Sequence, residues 1–189
     1  MKKFISVFCL ALVLMSACST NAKTGADMVR EKYAGFTGCK LSVDITADFG
    51  NRVSVYSITY ERAGGQGIIT IEKPDEIAGI TATITADGGS LSYDGLILET
   101  GKLAGTALTP IDAVPTMLDT WASGYMTDAG TERLRNIKCR RLTYRTTIDE
   151  AVVEQHAWFD EETLNPVHAE TLVDGVMVIA CDFTRAEFS

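Results

Sequence analysis

The chain has 189 residues, with 17 basic and 25 acidic side chains and a formal net charge of −8 at pH 7. This acidic balance argues against binding of nucleic acid, and against attachment to anionic lipid through a basic patch. The length fits a single domain that can bury a sizeable hydrophobic core.

The first residues have the layout of a secretory signal peptide. Met1-Lys2-Lys3 gives a positive start, Phe4 to Met15 is apolar, and the small residues Ser16-Ala17 precede Cys18. The apolar run is shorter than the roughly 20 residues that cross a bilayer, so we expect residues 1–17 to be removed rather than to act as an anchor. Small residues before a cysteine resemble the lipobox of bacterial lipoproteins, which implies that Cys18 becomes diacylated with chains such as palmitate.

Lipidation at Cys18 predicts attachment to a membrane. Two acyl chains give stable attachment, whereas one is marginal. Without residues 1–17, which hold two lysines and no acid, the charge falls to −10, so the attachment must come from the lipid. We therefore expect a lipidated cysteine and polar tether over 18–26 and a folded domain over 27–189, on the extracytoplasmic face of the cell membrane, or in the outer membrane where the organism has one. The alternative is an ordinary signal peptide with an incidental cysteine.

Three cysteines remain in the predicted domain, because Cys9 lies in the signal peptide. Cys39, Cys139 and Cys181 allow at most one internal disulfide, and three pairings are open. Their spacing is not that of a zinc site. Cys39 and Cys181 fall on the apolar faces of their predicted strands, so they are either buried thiols or one disulfide that joins the first and last strands.

The first half of the domain begins with a short helix, predicted over Asp27–Phe36, and continues as hairpins. Apolar and polar residues alternate with period two from residue 39 onward, and glycine-containing turns separate the alternating runs. The predicted strands are Cys39–Phe49, Arg52–Arg62, Gln66–Lys73, Ile80–Ala86, Ser90–Tyr93 and Leu96–Thr100.

The second half starts with an amphipathic helix, because Val114, Met117, Leu118 and Trp121 follow helical spacing. A polar link is expected over Thr131–Asn136. The predicted strands after it are Ile137–Ile148, Val152–Phe159, Val167–Asp174 and Val176–Phe183. No helix is long enough to join parallel strands, so the fold is predicted to be mainly β (α+β): a strongly curved antiparallel sheet, or half β-barrel, with a short N-terminal helix and one covering helix.

Several short phrases in this order of elements resemble the LolA/LolB superfamily. They are Ile71-Glu72-Lys73-Pro74-Asp75-Glu76-Ile77, Ser90-Leu91-Ser92-Tyr93-Asp94-Gly95, Trp158-Phe159-Asp160 and Leu164-Asn165-Pro166-Val167. The resemblance extends over residues 27–188 and implies a half-barrel that holds acyl chains or protein partners. Because Cys18 implies an anchor, a soluble shuttle role is not expected. The chain is also similar to small lipidated proteins of Gram-positive bacteria, including the germination lipoprotein GerS, a partner of a cell-wall amidase.

A hydrophobic ligand in such a half-barrel would contact apolar side chains from the strands and from the covering helix. The candidate ligand-binding residues are Leu41, Val43, Ile45, Ile84, Leu98, Met117, Leu118, Trp121, Met177, Ile179 and Phe183. Apolar alternation by default indicates side chains that fill a packed core, and the alternative is a dry cavity for an acyl chain. The sequence does not separate these two interpretations.

Candidate catalytic chemistry is sparse. A regular hairpin would place His156 opposite Glu170 and His168 opposite Trp158, and a histidine–glutamate pair can act as an acid and base or as part of a metal site. It is more often a surface pair, and Asp149-Glu150 and residues 160–162 lack the spacing of a calcium loop. We therefore expect a non-enzymatic, membrane-tethered lipoprotein that binds an acyl chain or a lipoprotein, without a metal or cofactor. The alternative is an interaction module for an envelope protein such as a cell-wall hydrolase.

Overall fold

The computed structural model describes residues 24–102 and 105–189, which form two α-helices, one short 3₁₀ turn and an eleven-stranded sheet. The helices are α1 (Gly25–Gly35) and α2 (Ala113–Ser123), and the 3₁₀ turn is Asp75–Ile77. The strands are β1 (Gly38–Asp48), β2 (Val53–Ala63), β3 (Gln66–Lys73), β4 (Thr81–Ile84), β5 (Gly89–Tyr93), β6 (Leu96–Gly101), β7 (Met126–Leu134), β8 (Ile137–Ile148), β9 (Ala151–Asp160), β10 (Pro166–Val173) and β11 (Val176–Phe188).

The sheet is antiparallel throughout and open, as expected for a half-barrel. Its strand order is β6-β5-β4-β3-β2-β1-β11-β10-β9-β8-β7. Every pair of successive strands forms a hairpin except β6 and β7, which lie at opposite edges and are connected through α2. The two halves of the sheet therefore meet at the β1–β11 pair, and α2 is the segment that passes from one half to the other.

Local turn chemistry explains why the strands fold back so tightly. Asp94-Gly95 and Asp174-Gly175 join successive strands with two residues, all of which have positive φ. This backbone geometry is that of the type I′ turn, whose twist matches that of antiparallel strands and which favours Asp-Gly sequences. The turns therefore fix the register of their hairpins.

The predicted polar link over Thr131–Asn136 was wrong, since most of it belongs to strand β7. That strand pairs with β8 from Met126 to Leu134, and the turn lies at Arg135-Asn136, both with positive φ. The side chains of β7 are mostly exposed on both faces. An edge strand without a buried face shows no period-two alternation, so the sequence pattern does not reveal it.

The last strand is also longer than predicted. β11 continues past Phe183 to Phe188, where it pairs with the beginning of β1 through the Cys39–Phe188 register. A bulge at Thr184 interrupts the alternation between these strands, since Val43 pairs with Phe183 and Ser42 pairs with Arg185. The bulge explains why the apolar pattern breaks before the strand ends.

Helix α1 starts two residues before its predicted position, at a capping box. Thr24 Oγ1 accepts a hydrogen bond from the backbone N–H of Asp27 at 3.2 Å, and the backbone N–H of Thr24 donates to Asp27 Oδ2 at 3.0 Å. These reciprocal bonds satisfy backbone donors that the first helical turn leaves free. No helix within the described residues is long and apolar enough to cross a bilayer.

The core lies between one face of the sheet and the two helices. On β1, Leu41, Val43 and Ile45 are buried and alternate with more exposed polar residues. α1 contributes Val29 and Tyr33 to the same core. The inner face of the sheet near the β1–β11 pair is thus covered by both helices.

Candidate ligand site at the concave face

Nine of the eleven predicted ligand-binding residues lie together in the core. Seven have at most 1% of their surface exposed, and two are partly buried and pack against these seven. The fully buried residues are Leu41, Val43, Ile45, Met117, Leu118, Trp121 and Ile179, and the partly buried ones are Ile84 and Phe183. The structure therefore brings most of the predicted set together in the core between the sheet and α2.

Leu98 does not belong to this set, and Met177 lies at its margin. Leu98 is on the edge strand β6, where Leu96, Ile97 and Leu98 are 76%, 71% and 64% exposed. Neighbouring residues of a strand point to opposite faces, so this exposure means that neither face of β6 is covered at this point. Met177 is half-buried and is not part of the core cluster.

Aromatic side chains fill the space beneath α2. The fully buried indole of Trp121 packs with ring centroids 4.9 Å from Phe159, 5.1 Å from Tyr33 and 5.8 Å from Phe183. Tyr33 and Phe159 are core residues that the ligand-site prediction missed, although Val29 and Tyr33 have helical i, i+4 spacing. The aromatic packing means that this part of the concave face is occupied by side chains in the present structure.

Helix α2 is attached to the sheet mainly by side-chain packing. Its buried side chains are Ala113, Val114, Pro115, Met117, Leu118 and Trp121. At its exposed surface, Asp119 forms an ion pair with Arg62 of β2, with 3.0 Å between the charged atoms. The preceding loop is ordered by Asp112, whose carboxylate accepts hydrogen bonds from Thr109 N at 2.9 Å and Thr109 Oγ1 at 2.8 Å.

A cleft of about 380 Å³ runs beside α2, between the helix and strands β8 and β9. The helix lines it with Thr116, Thr120 and Ser123. The sheet lines it with residues of two cross-strand pairs: Tyr144 lies opposite Gln155, and Thr146 lies opposite Val153. These pairs are two residues apart on each strand, so all four side chains share the concave face.

The charged side chains of the cleft have ion-pair partners, whereas one buried amide oxygen has no hydrogen-bond partner in the part of the chain that the structure describes. Gln155 is 6% exposed, and its buried Oε1 has no hydrogen-bond partner in the described residues. The two charged residues of the lining are already paired, since Asp119 contacts Arg62 and Arg145 contacts Glu154. Burial raises the pKa of the Tyr144 phenol well above its usual value, so the phenol stays neutral at physiological pH.

Both predicted histidine pairs occur, and they lie outside the lining of the cleft. Their hydrogen bonds differ from the predicted His156–Glu170 contact. His156 is opposite Glu170 and His168 is opposite Trp158, as predicted. The Glu170 carboxylate bonds to His168 Nε2 at 3.2 Å, while His168 Nδ1 contacts Asp182 Oδ1 at 2.6 Å. His156 instead packs its ring edge to face with Trp158.

His168, Glu170, Asp182 and Arg135 form a charged cluster, the His168 cluster, in which each group affects the pKa of its neighbours. Burial lowers the pKa of His168, but its hydrogen bonds to Glu170 and Asp182 outweigh this effect and raise it above the ordinary histidine value. The hydrogen bond from His168 lowers the pKa of Glu170. Asp182 also binds Arg135 at 2.7 Å. In the described part of the chain, no three His, Cys, Asp or Glu side chains are placed to hold a metal ion.

Residues 160–162, which lack the spacing of a calcium loop, belong to the turn between β9 and β10 and stabilise it. Asp160 Oδ1 accepts hydrogen bonds from Thr163 N at 2.7 Å and from Glu162 N at 3.1 Å. The bond from the Thr163 backbone lowers the pKa of the Asp160 carboxyl below its usual value, although burial opposes the shift. The carboxylate therefore accepts backbone N–H groups that the turn would otherwise leave unpaired.

The suggested disulfide between the first and last strands is excluded by their register. Cys181 lies opposite Ile45, six residues along β1 from Cys39. Six residues of a strand extend about 20 Å, whereas a disulfide needs Cα atoms roughly 4.4–6.8 Å apart. Cys39, Cys139 and Cys181 are all buried free thiols.

Comparisons with known proteins concern the fold. No protein-family model matches the sequence, and no curated protein matches it. An uncharacterized conserved protein from Thermus thermophilus is 11% identical, with a TM-score of 0.55 over 88% of both chains. A DUF1329 family protein from Desulfovibrio piger is 12% identical, with a TM-score of 0.50 over 87% of this chain and 92% of that one.

The superfamily that the sequence resembles is also represented among the similar structures. A LolA superfamily protein from Nitrosomonas europaea is 10% identical, with a TM-score of 0.48 over 87% of this chain and 92% of that one. At these identities the likeness is one of fold and not of activity. The chain is thus similar in fold to the Thermus thermophilus and Desulfovibrio piger proteins.

Proposed function

We propose that this chain is a membrane-tethered, non-enzymatic lipoprotein of the bacterial cell envelope that binds a hydrophobic ligand, an acyl chain or a lipoprotein, in the concave face of its half-barrel. The leader pattern and Cys18 support the tether. The resemblance of the sequence to the LolA/LolB superfamily supports the ligand class. The observation that carries the proposal is the position of α2 over an apolar sheet face, beside an open cleft.

The attachment of α2 makes it suited to act as a lid. In the described residues its own backbone makes no hydrogen bond to a strand, so it can move without breaking the sheet. Such a movement would uncover Met117, Leu118 and Trp121 together with the inner face of β1. An acyl chain could then replace the contacts that these side chains make in the closed form, because both are apolar.

Binding of a dansyl-labelled fatty acid tests this proposal. We expect saturable binding of one probe per chain with increased dansyl fluorescence. Ile84→Gln should weaken it, because Ile84 packs against the core at the concave face. Leu98→Gln is the matched control and should bind as the unaltered chain does, because Leu98 is exposed at the sheet edge. Equal binding by both variants, or no saturable binding, would contradict the proposal.

The anchor requires a separate measurement. Cells that express the chain and take up radiolabelled palmitate should yield a labelled protein in the membrane fraction. Cys18→Ala should remove the label and release the protein from the membrane. Label that persists in this variant would contradict lipidation at Cys18.

The second candidate is an interaction module for an envelope protein, favoured by the exposed β5–β6 hairpin. Tyr93, Leu96, Ile97 and Leu98 leave more than half of their surfaces accessible, which is typical of contact surfaces rather than of folding cores. A stoichiometric partner captured from membranes should be lost with Ile97→Lys and kept with Val176→Lys, an equally exposed valine on β11. Capture unaffected by either variant would argue against this role for the hairpin.

A further inference from the structure

Helix α2 presents two chemically different stripes. Met117, Leu118 and Trp121 pack into the apolar core, whereas Thr116, Thr120 and Ser123 line the cleft. The spacing i, i+4, i+7 places the second set along one side of the helix. The cleft is therefore bordered by hydroxyl groups along its helical wall.

The wall formed by the sheet is polar as well. Tyr144 and Gln155 form one cross-strand pair, and Thr146 lies two residues further on the same face. Inward-facing positions of a half-barrel are usually apolar, and a buried amide is costly unless it is hydrogen-bonded. Gln155 lines the cleft and is 6% exposed, and its Oε1 has no partner in the described residues, so the wall of the cleft contains a buried acceptor that lacks a donor.

The charges of the cleft do not favour an ionic ligand. Arg145 approaches Glu154 to 2.6 Å, and Asp119 approaches Arg62 to 3.0 Å. A carboxylate would therefore find no unpaired cation among the described residues that line the cleft, and a quaternary ammonium group offers no hydrogen-bond donor to Gln155 Oε1. A hydroxyl group can donate to Gln155 and at the same time accept from a threonine or from the neutral Tyr144 phenol.

We propose that the cleft binds the uncharged, hydroxyl-bearing head group of an amphiphilic ligand, of the sugar or glycerol type. This inference rests on the proposed function, in which the apolar tail of the same ligand lies beneath α2. The volume of about 380 Å³ is within the range of small-molecule sites, roughly 300–1,000 Å³. The head group would hold the ligand in one orientation, with its tail directed toward the core.

Amphiphiles that share one octyl-length tail and differ in the head group test the inference. The probes are octyl glucoside, monooctanoylglycerol, octanoate and octyltrimethylammonium, each titrated below its micelle concentration and followed by calorimetry. We expect at least one uncharged probe to bind about tenfold more tightly than both ionic ones, since hydrogen bonds of this kind discriminate by that order. The two uncharged probes distinguish a sugar head from a glycerol head.

Two variants connect the preference to the cleft. Gln155→Leu should weaken the binding of the uncharged probe about tenfold, because it removes the acceptor. It should leave the binding of the ionic probes unchanged. Gln66→Leu, at an exposed site at the start of β3, is the matched control and should have no effect. Thr120→Val repeats the test on the helical wall if Gln155→Leu fails to fold, which a thermal melt will reveal.

The outcomes separate the inference from the proposed function. Equal binding of all four probes, or no change with Gln155→Leu and Thr120→Val, overturns the head-group preference while leaving the hydrophobic site intact. Absence of binding by every probe contradicts both the site and its preference. Tight binding that is selective for octanoate overturns the inference in favour of an anionic head.

Discussion

The indole ring of Trp121 on α2 and the phenyl ring of Phe159 on β9 pack edge to face, with ring centroids 4.9 Å apart and both side chains fully buried. Edge-to-face pairs of this kind add stability beyond the burial of area alone. Tyr33 of α1 contacts both rings. These three residues therefore join the two helices to the sheet.

The first prediction concerns this aromatic contact. Trp121→Ala should lower the free energy of unfolding by about 3–5 kcal/mol, because it leaves a large cavity in the core. Urea unfolding followed by circular dichroism measures the change. Tyr125→Ala is the control: Tyr125 is 74% exposed just after α2, so its loss should cost less than about 0.5 kcal/mol. A small change with Trp121→Ala would mean that α2 is not packed as described.

The second prediction contrasts two leucines that the sequence pattern treats alike. Leu41→Ala should lower the free energy of unfolding by about 2–5 kcal/mol, because Leu41 is fully buried. Leu98→Ala should cost less than about 0.5 kcal/mol, because Leu98 is largely exposed on β6. Thermal or urea unfolding of both variants provides the comparison. Similar losses from both would contradict the position of β6 outside the core.

The third prediction concerns the pH dependence of the His168 cluster. A histidine whose pKa is raised on folding stabilises the folded state most at pH values below its unfolded pKa, and this contribution is lost as the pH rises through the folded pKa. The lowered pKa values of Glu170 and Asp182 act in the opposite sense: their contribution is present above the unfolded pKa of a carboxyl group and is lost as the pH falls. The cluster should therefore contribute most between about pH 4.5 and pH 6.5.

His168→Gln measures this contribution. The loss in the free energy of unfolding caused by the substitution should be larger near pH 5.5 than near pH 8.5, the approximate limits set by ordinary histidine titration. His156→Gln is a suitable control, because His156 packs against Trp158 and makes no hydrogen bond to the two carboxylates. A loss that is independent of pH would show that folding does not shift the pKa of His168.

The fourth prediction concerns the thiols. In a Cys18→Ser variant from which the leader has been removed, a thiol reagent should react slowly with the folded protein and label three cysteines in guanidinium. Burial raises the pKa of Cys39 to about 11 and that of Cys181 further, so the reactive thiolate is scarce in the folded state. A reducing agent should leave the melting temperature unchanged. Detection of only one thiol in denaturant would indicate a disulfide and contradict the three free thiols of the structure.

Much of the fold follows from local sequence patterns. The alternation of Leu41, Val43 and Ile45 with polar neighbours identifies β1 and its buried face, and Asp174-Gly175 identifies a hairpin turn. Both patterns depend only on neighbouring residues. The cross-strand pair of His156 and Glu170 was also predictable, because the short turn after β9 restricts the register of that hairpin.

The remaining features depend on how distant elements meet. The edge strand β7 has no buried face to create a pattern. Leu98 lies in the apolar run Leu96-Ile97-Leu98, yet all three side chains are largely exposed because neither face of β6 is covered there. The polar cleft was not predicted, since Thr120 and Gln155 become neighbours only when α2 crosses the sheet. The sequence likewise left open whether the apolar face was packed or empty, because that outcome depends on the position of Trp121.

The most direct test of the central claim is native mass spectrometry of the domain from residue 19 onward, produced in bacteria without its lipidation site. The account predicts a bound species of fatty-acid or phospholipid mass that dissociates on collisional activation, with an apo form that takes up an added octyl amphiphile. A domain that remains free of ligand after purification and after addition of every amphiphile would contradict a hydrophobic site in the half-barrel, and would leave the exposed β5–β6 hairpin as the functional surface.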